Sequence, residues 1–135
     1  MNKKQCFEDI CGCTVDSCPI TYSMNMIGGK WRPIIIMRIA QNINRFGILH
    51  RGIDGISKNM LTRELRDLEK NNVISRKIYA EIPPRVEYSL TKKGKTLVPV
   101  FDMLNEWALD YIWIWDYSLF DALIHINDTK PNVIK

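Results

Sequence analysis

The chain has 135 residues, 46% apolar and 25% charged, which suits one globular domain with a core of its own. No stretch approaches the roughly 20 uninterrupted apolar residues of a membrane span, and Met1-Asn2-Lys3-Lys4 runs on into polar residues rather than the apolar core of a secretory signal. A cytoplasmic chain with no membrane partner is therefore expected, and its charge is divided: residues 1–100 hold 17 Lys/Arg against 9 Asp/Glu, residues 101–135 only 2 against 6, which suggests a nucleic-acid face in the body and a different use for the acidic end.

Residues 1–17 form a polar arm with Cys6, Cys11 and Cys13, and Cys18 closes it. Pro19 can open a first helix to about Ile27, which Gly28-Gly29 ends. A second helix is predicted from Lys30 to Gln41, with Trp31, Ile34, Ile35 and Ile39 on its apolar stripe and Pro33 tolerated in its first turn. Arg45-Phe46 reads as a short strand or the start of a third helix, Phe46 to Ile53. Asp54-Gly55 makes a tight turn, and Ser57 is a good N-cap for a fourth helix. There Leu61, Leu65 and Leu68 recur at i, i+4, i+7 on the buried side, and Asn59, Thr62, Arg63 and Arg66 make a polar stripe on another.

Two β runs follow. Ile74, Arg76, Ile78 and Ala80 alternate with Ser75, Lys77, Tyr79 and Glu81, and Val86, Tyr88 and Leu90 alternate with Glu87 and Ser89. Pro83-Pro84 stiffens the tip between them, with Arg85 expected on that tip. Thr91 caps a long helical stretch in which Leu97, Phe101, Leu104, Ala108, Tyr111 and Trp115 form one apolar stripe and Val100, Trp107 and Ile114 a second. One stripe can pack on its own domain; the other calls for a partner, most simply a second copy. Pro99 predicts a kink or break, and residues 116–135 read as an extension ending in a polar tail.

The fold class expected is mainly α with a small β-wing: a winged helix-turn-helix domain over residues 18–115, whose C-terminal helix calls for a second copy. In such a domain the helix after the turn enters the major groove. Asn59 and Arg63 suit adenine and guanine edges, with Ser57 and Thr62 beside them. Lys58, Arg66, Lys77 and Arg85 suit phosphates. The competing view is a solvated helix face neutralising itself through i,i+4 pairs such as Arg63 with Asp67, although Arg66 and Lys70 repel at that spacing.

The ordered strings Cys18-Pro19, Ile27-Gly28-Gly29-Lys30-Trp31, Arg45-Phe46-Gly47, Gly55-Ile56-Ser57, Met60-Leu61-Thr62, Leu65-Arg66-Asp67-Leu68-Glu69, Pro83-Pro84-Arg85-Val86-Glu87-Tyr88, Leu90-Thr91 and Gly94 resemble the HxlR-type transcriptional regulators, winged-helix proteins related to the MarR group. The resemblance spans about residues 18–112. It implies a homodimeric DNA-binding regulator, with the first and last helices at the dimer interface; two recognition helices entering successive major grooves then fit a pseudo-palindromic duplex operator. It also implies, for some members, a cysteine before the first helix that senses oxidants or electrophiles; here that position is Cys18. Asn71-Asn72 stands where members often have Gly, a departure that Asn accommodates in a left-handed turn.

If Pro19 begins the first helix, Cys18 is its N-cap, where the helix dipole favours a thiolate. The alternative is an inert, partly buried cysteine. The C-x4-C-x-C-x4-C spacing is poor for zinc, and neither a metal site nor a cofactor is expected. His50 and His125 lack partners at ligand spacing, and no set of general base, nucleophile and oxyanion donors points to an enzyme. Two other classes remain open: a redox or metal-responsive protein worked by the cysteine arm, and a winged-helix module that binds proteins. A small-molecule or oxidant inducer fits the leading reading.

Overall fold

The computed structural model describes residues 17–112. Their elements in chain order are α1 (Pro19–Ile27), α2 (Arg32–Ala40), α3 (Phe46–Gly52), α4 (Lys58–Lys70), β1 (Ile74–Tyr79), β2 (Arg85–Leu90) and α5 (Lys92–Leu109). Two compact units divide the chain between Phe101 and Asp102.

Local chemistry sets most boundaries in the first unit. Pro19 is the first residue of α1, where a missing N–H costs nothing, and the Gly28 amide closes the helix on the Met24 carbonyl at 2.7 Å. Gly55 turns at φ +80°, a region that only a residue without Cβ enters freely, and the chain swings directly into Ser57, the N-cap of α4. Asn72 adopts φ +58° after α4, so the left-handed turn survives the departure from Gly. Thr91 starts α5: its hydroxyl oxygen accepts the Gly94 amide at 3.0 Å.

The core gathers Ile35, Ile36 and Ile39 of α2, Leu49 of α3, Leu61, Leu65 and Leu68 of α4, Val73, Ile74 and Tyr88 of the hairpin, and Phe101 of α5. Burying a side chain of this size contributes about 1.5–3 kcal/mol, so the three α4 leucines alone anchor that helix firmly. The stripe on α2 differs from the expected one. Ile36 is buried in place of Ile34, which stays 40% exposed. The core centres on Ile39, and Ile34 lies about 140° around the helix from it, beyond the buried arc.

β1 and β2 pair antiparallel in the register Ile74↔Leu90 through Tyr79↔Arg85. They form the wing. β2 packs on α2, and β1 on α4. Arg45-Phe46 is the helix entry of the two expected forms: Arg45 is the N-cap residue of α3, and it makes a single bridge to Glu87 of β2 rather than a strand. Arg85 is a correction. It is the first residue of β2, paired opposite Tyr79, and is not on the proline tip. Gly94 fits because it has no side chain: a Cβ there would collide with the Val73 carbonyl.

α5 runs through Pro99 without the expected break. Lys95 and Pro99 are both exposed, so water can satisfy the carbonyl that the proline leaves without a donor. In the second unit the helix continues to Leu109 with Met103, Leu104 and Trp107 exposed, and the Trp107 and Tyr111 rings meet at 5.3 Å. Ile114, Trp115 and the extension 116–135 lie outside the described residues, as do Cys6, Cys11, Cys13 and His125.

Candidate nucleic-acid interface

α4 carries the polar stripe, and its two sides are cleanly separated. Leu61, Leu65 and Leu68 face inward, all 2% exposed or less. The side chains of Lys58, Asn59, Arg63 and Arg66 face outward and make no hydrogen bond or ion pair with described residues. Ser57 caps the start by accepting the Met60 amide at 3.1 Å, which leaves earlier amides of the first turn free for an anion. Thr62 is half-buried, and its hydroxyl donates to the Lys58 carbonyl at 2.8 Å. Its oxygen remains only an acceptor.

The acids of α4 would cancel this face if they were free to pair along it. They are held by other elements. Arg32, at the start of α2, donates through Nε to Glu64 at 2.8 Å and through Nη2 to Asp67 at 3.2 Å. Arg76 of β1 approaches Glu69 at 3.7 Å. Each carboxylate is thus drawn toward the body by a cation from another element. The i,i+4 pair expected between Arg63 and Asp67 is absent, because Asp67 is taken by Arg32. Arg63 keeps its charge for the outside.

The wing behaves differently. Arg85 contacts Glu81 at 3.1 Å and Glu87 at 3.5 Å, and its guanidinium lies 4.1 Å from the centre of the Tyr79 ring. Arg45 also reaches Glu87, at 3.7 Å. Lys77 stands exposed with its ammonium 4.8 Å over the same Tyr79 ring. Of the two wing cations read from the sequence, Lys77 has no carboxylate partner among the described residues and Arg85 has two. Tyr88 sits behind them, its phenol pushed up by burial, with Arg76 pulling the other way. The wing tip and the start of α3 line an open groove through Arg45, Phe46, Ile82, Pro83 and Pro84.

This arrangement has counterparts. The HxlR-like helix-turn-helix family matches residues 26–114. The chain belongs to that family. It is 44% identical over 94 residues to an uncharacterised HTH-type transcriptional regulator of Methanothermobacter thermautotrophicus, an alignment covering 70% of this chain and 72% of that one. The redox regulator HypR, solved in its oxidised form, is 37% identical with a TM-score of 0.64, covering 69% of this chain and 96% of HypR. The transcriptional regulator YodB of Bacillus subtilis, in its reduced form, is 33% identical with a TM-score of 0.63, covering 73% of this chain and 98% of YodB. The fold is that of the winged-helix regulators, and the protein is a helix-turn-helix transcriptional regulator.

Cys18 in this HxlR-like chain is the N-cap residue of α1 and is partly exposed. The backbone and hydroxyl of Thr21, and then the backbone of Ile20, hold its thiol below the ordinary value. Its carbonyl accepts the Tyr22 amide at 3.0 Å, so the cysteine is tied into the first turn. No helix among the described residues is long and apolar enough to cross a membrane. His50 stacks on Phe46 at 6.5 Å within α3.

Arg32 and Arg76 are the residues that a reading of the stripe alone passes over. A signal for the first existed. Glu64 and Asp67 sit at i, i+3 beside the buried leucines, where partly desolvated carboxylates need a cation. Nothing in the spacing says which of the basic residues supplies it.

Proposed function

We propose that this regulator binds a pseudo-palindromic duplex as a dimer, inserting α4 of each copy into successive major grooves. The single observation that carries the reading is the sorting of charge on α4: the cations and Asn59 face outward without partners among the described residues, and each acid is paired with a cation from another element. A merely solvated helix would gain by neutralising itself along its own surface. Asn59 and Arg63 then face base edges, with Ser57 and Thr62 beside them. Lys58, Arg66 and Lys77 hold phosphates, and Arg85 supports the wing that carries Lys77.

Dimerisation is supported by the apolar residues left in water. Ile20, Tyr22 and Met24 of α1 are more than half exposed, as are Met103 and Trp107 of α5. Patches of this kind on two helices fit a second copy. Control by oxidants or electrophiles is supported by Cys18, whose thiol is biased toward the reactive thiolate, and by the likeness to HypR.

The test is selection of duplexes from a random pool, followed by titration of the recovered sequence at several salt concentrations. Enrichment of an inverted repeat with half-sites about one helical turn apart, and affinity that falls steeply with salt, are expected. A chain that enriches nothing, or that sediments as a monomer, contradicts the reading. For the redox half, Cys18→Ser should abolish the effect of oxidant on duplex binding; an unchanged response removes Cys18 from control.

A further inference from the structure

We propose that Arg32 is the positioning residue of the reading helix: one guanidinium that sets the rotation of α4 against α1 and thereby the selectivity for sequence. The inference rests on the reading of α4 as the DNA-contacting helix.

Arg32 is the first residue of α2, yet its side chain bonds to two other helices. Nη1 donates to the Asn25 carbonyl at 2.8 Å and the Met26 carbonyl at 3.3 Å, both in the last turn of α1. Nε and Nη2 hold Glu64 and Asp67 of α4 at 2.8 and 3.2 Å. The Arg32 and Glu64 side chains are only 20% and 15% exposed, so the contact is not a loose surface pair. The carbonyls at the end of α1 have no acceptor role inside their helix and carry the negative end of its dipole. A cation there is favourable on both counts.

The geometry makes this more than charge balance. Apolar burial is non-directional, so the leucines of α4 resist its removal more than a small roll about its own axis. A guanidinium is planar and its donors are fixed in a fork. Two of its nitrogens hold carboxylates one turn apart on α4, while the third holds α1. Rolling α4 by about 20° would carry a side chain about 2 Å at the helix surface, most of the length of a hydrogen bond to a base. Selectivity depends on that position; affinity for phosphate in general does not.

The test uses the full chain, with the duplex selected from a random pool and a scrambled duplex of equal length and composition as probes. Arg32→Lys keeps the charge and loses the fork. It should reduce the ratio of selected to scrambled affinity about tenfold while scrambled binding stays within about twofold and the melting temperature shifts by no more than a few degrees. Asp67→Asn removes one prong only and should reduce the ratio about threefold; it serves if the lysine variant does not fold. A ratio unchanged in both variants shows that Arg32 merely balances charge and overturns the proposal. Parallel loss of both affinities with the melting temperature assigns it a purely structural role and also overturns it. A parent chain that enriches no sequence defeats the reading of α4 instead, which the variants alone would not do.

Discussion

The reading helix and the wing contain the same kinds of charge and use them in opposite ways. On α4 the acids are captured from outside, Glu64 and Asp67 by Arg32 and Glu69 by Arg76, and the cations are left free. On the wing it is the cation that is captured: Arg85 lies between Glu81 and Glu87 and against Tyr79. Counting Lys and Arg along the chain cannot tell these cases apart. What decides availability is which sign of charge has a partner on another element. On the proposed function, the helix would discriminate, and the wing would keep its shape while offering mainly Lys77.

The largest effect expected strikes the platform under both regions. Gly94→Ala drives a methyl group into the Val73 carbonyl, backbone that cannot swing aside. It should destabilise the chain by about 3 kcal/mol, the upper end of overpacking costs, seen as a lowered melting temperature with helix and wing failing together. A variant as stable as the parent would mean that α5 does not hold Val73 in place.

Next comes the contrast itself. Arg63→Ala should lose about 1–3 kcal/mol of discrimination at one base pair of the selected duplex, with other positions unaltered. Competition among single-base variants of that duplex measures it. Arg66→Ala or Lys58→Ala should instead weaken all sequences alike and lower the slope of log affinity against log salt by about one.

Arg85→Ala should do less than Arg63→Ala, because its charge is already spent. It leaves Glu81 and Glu87 at the base of the wing without their shared cation, so every duplex should bind a few-fold more weakly, with base preference unchanged. A sequence-specific loss as large as that of Arg63→Ala would show that the wing reads bases and would erase the distinction between the two regions.

The smallest effect is chemical. With Cys6, Cys11 and Cys13 replaced by Ser, alkylation of Cys18 should rise with pH with its midpoint below that of an unperturbed thiol measured alongside, because Thr21 and Ile20 lower its pKa. The sign for stability follows: the folded chain favours the thiolate, so this contribution is present above the free thiol's value and is lost as pH falls through the lowered one. A midpoint at or above the free value would remove the case for a primed cysteine.

Much of this was legible in the residues. Pro19, Ser57, Thr91 and the Asn71-Asn72 turn mark boundaries through backbone chemistry that acts within four residues, and the structure places them as read. The buried leucines of α4 follow from helical period alone. The misses are of another kind. Ile36 rather than Ile34 is buried because neighbouring elements choose the centre of the stripe. Pro99 does not break α5, which runs on to Leu109. Arg85 left the tip because strand register assigned it to β2.

By itself the sequence determined the order and kind of the elements, several of their caps, the inward face of α4 and the kind of protein the chain resembles, since caps, turns and periodicity are short-range properties of the backbone. Only the tertiary structure decided which charges are free. Arg32 and Glu64 are 32 positions apart, and an ion pair across that distance exists only when folding brings α2 against α4. Local pattern can name every charged residue here, but only the assembled helices show which of them still have a charge to offer.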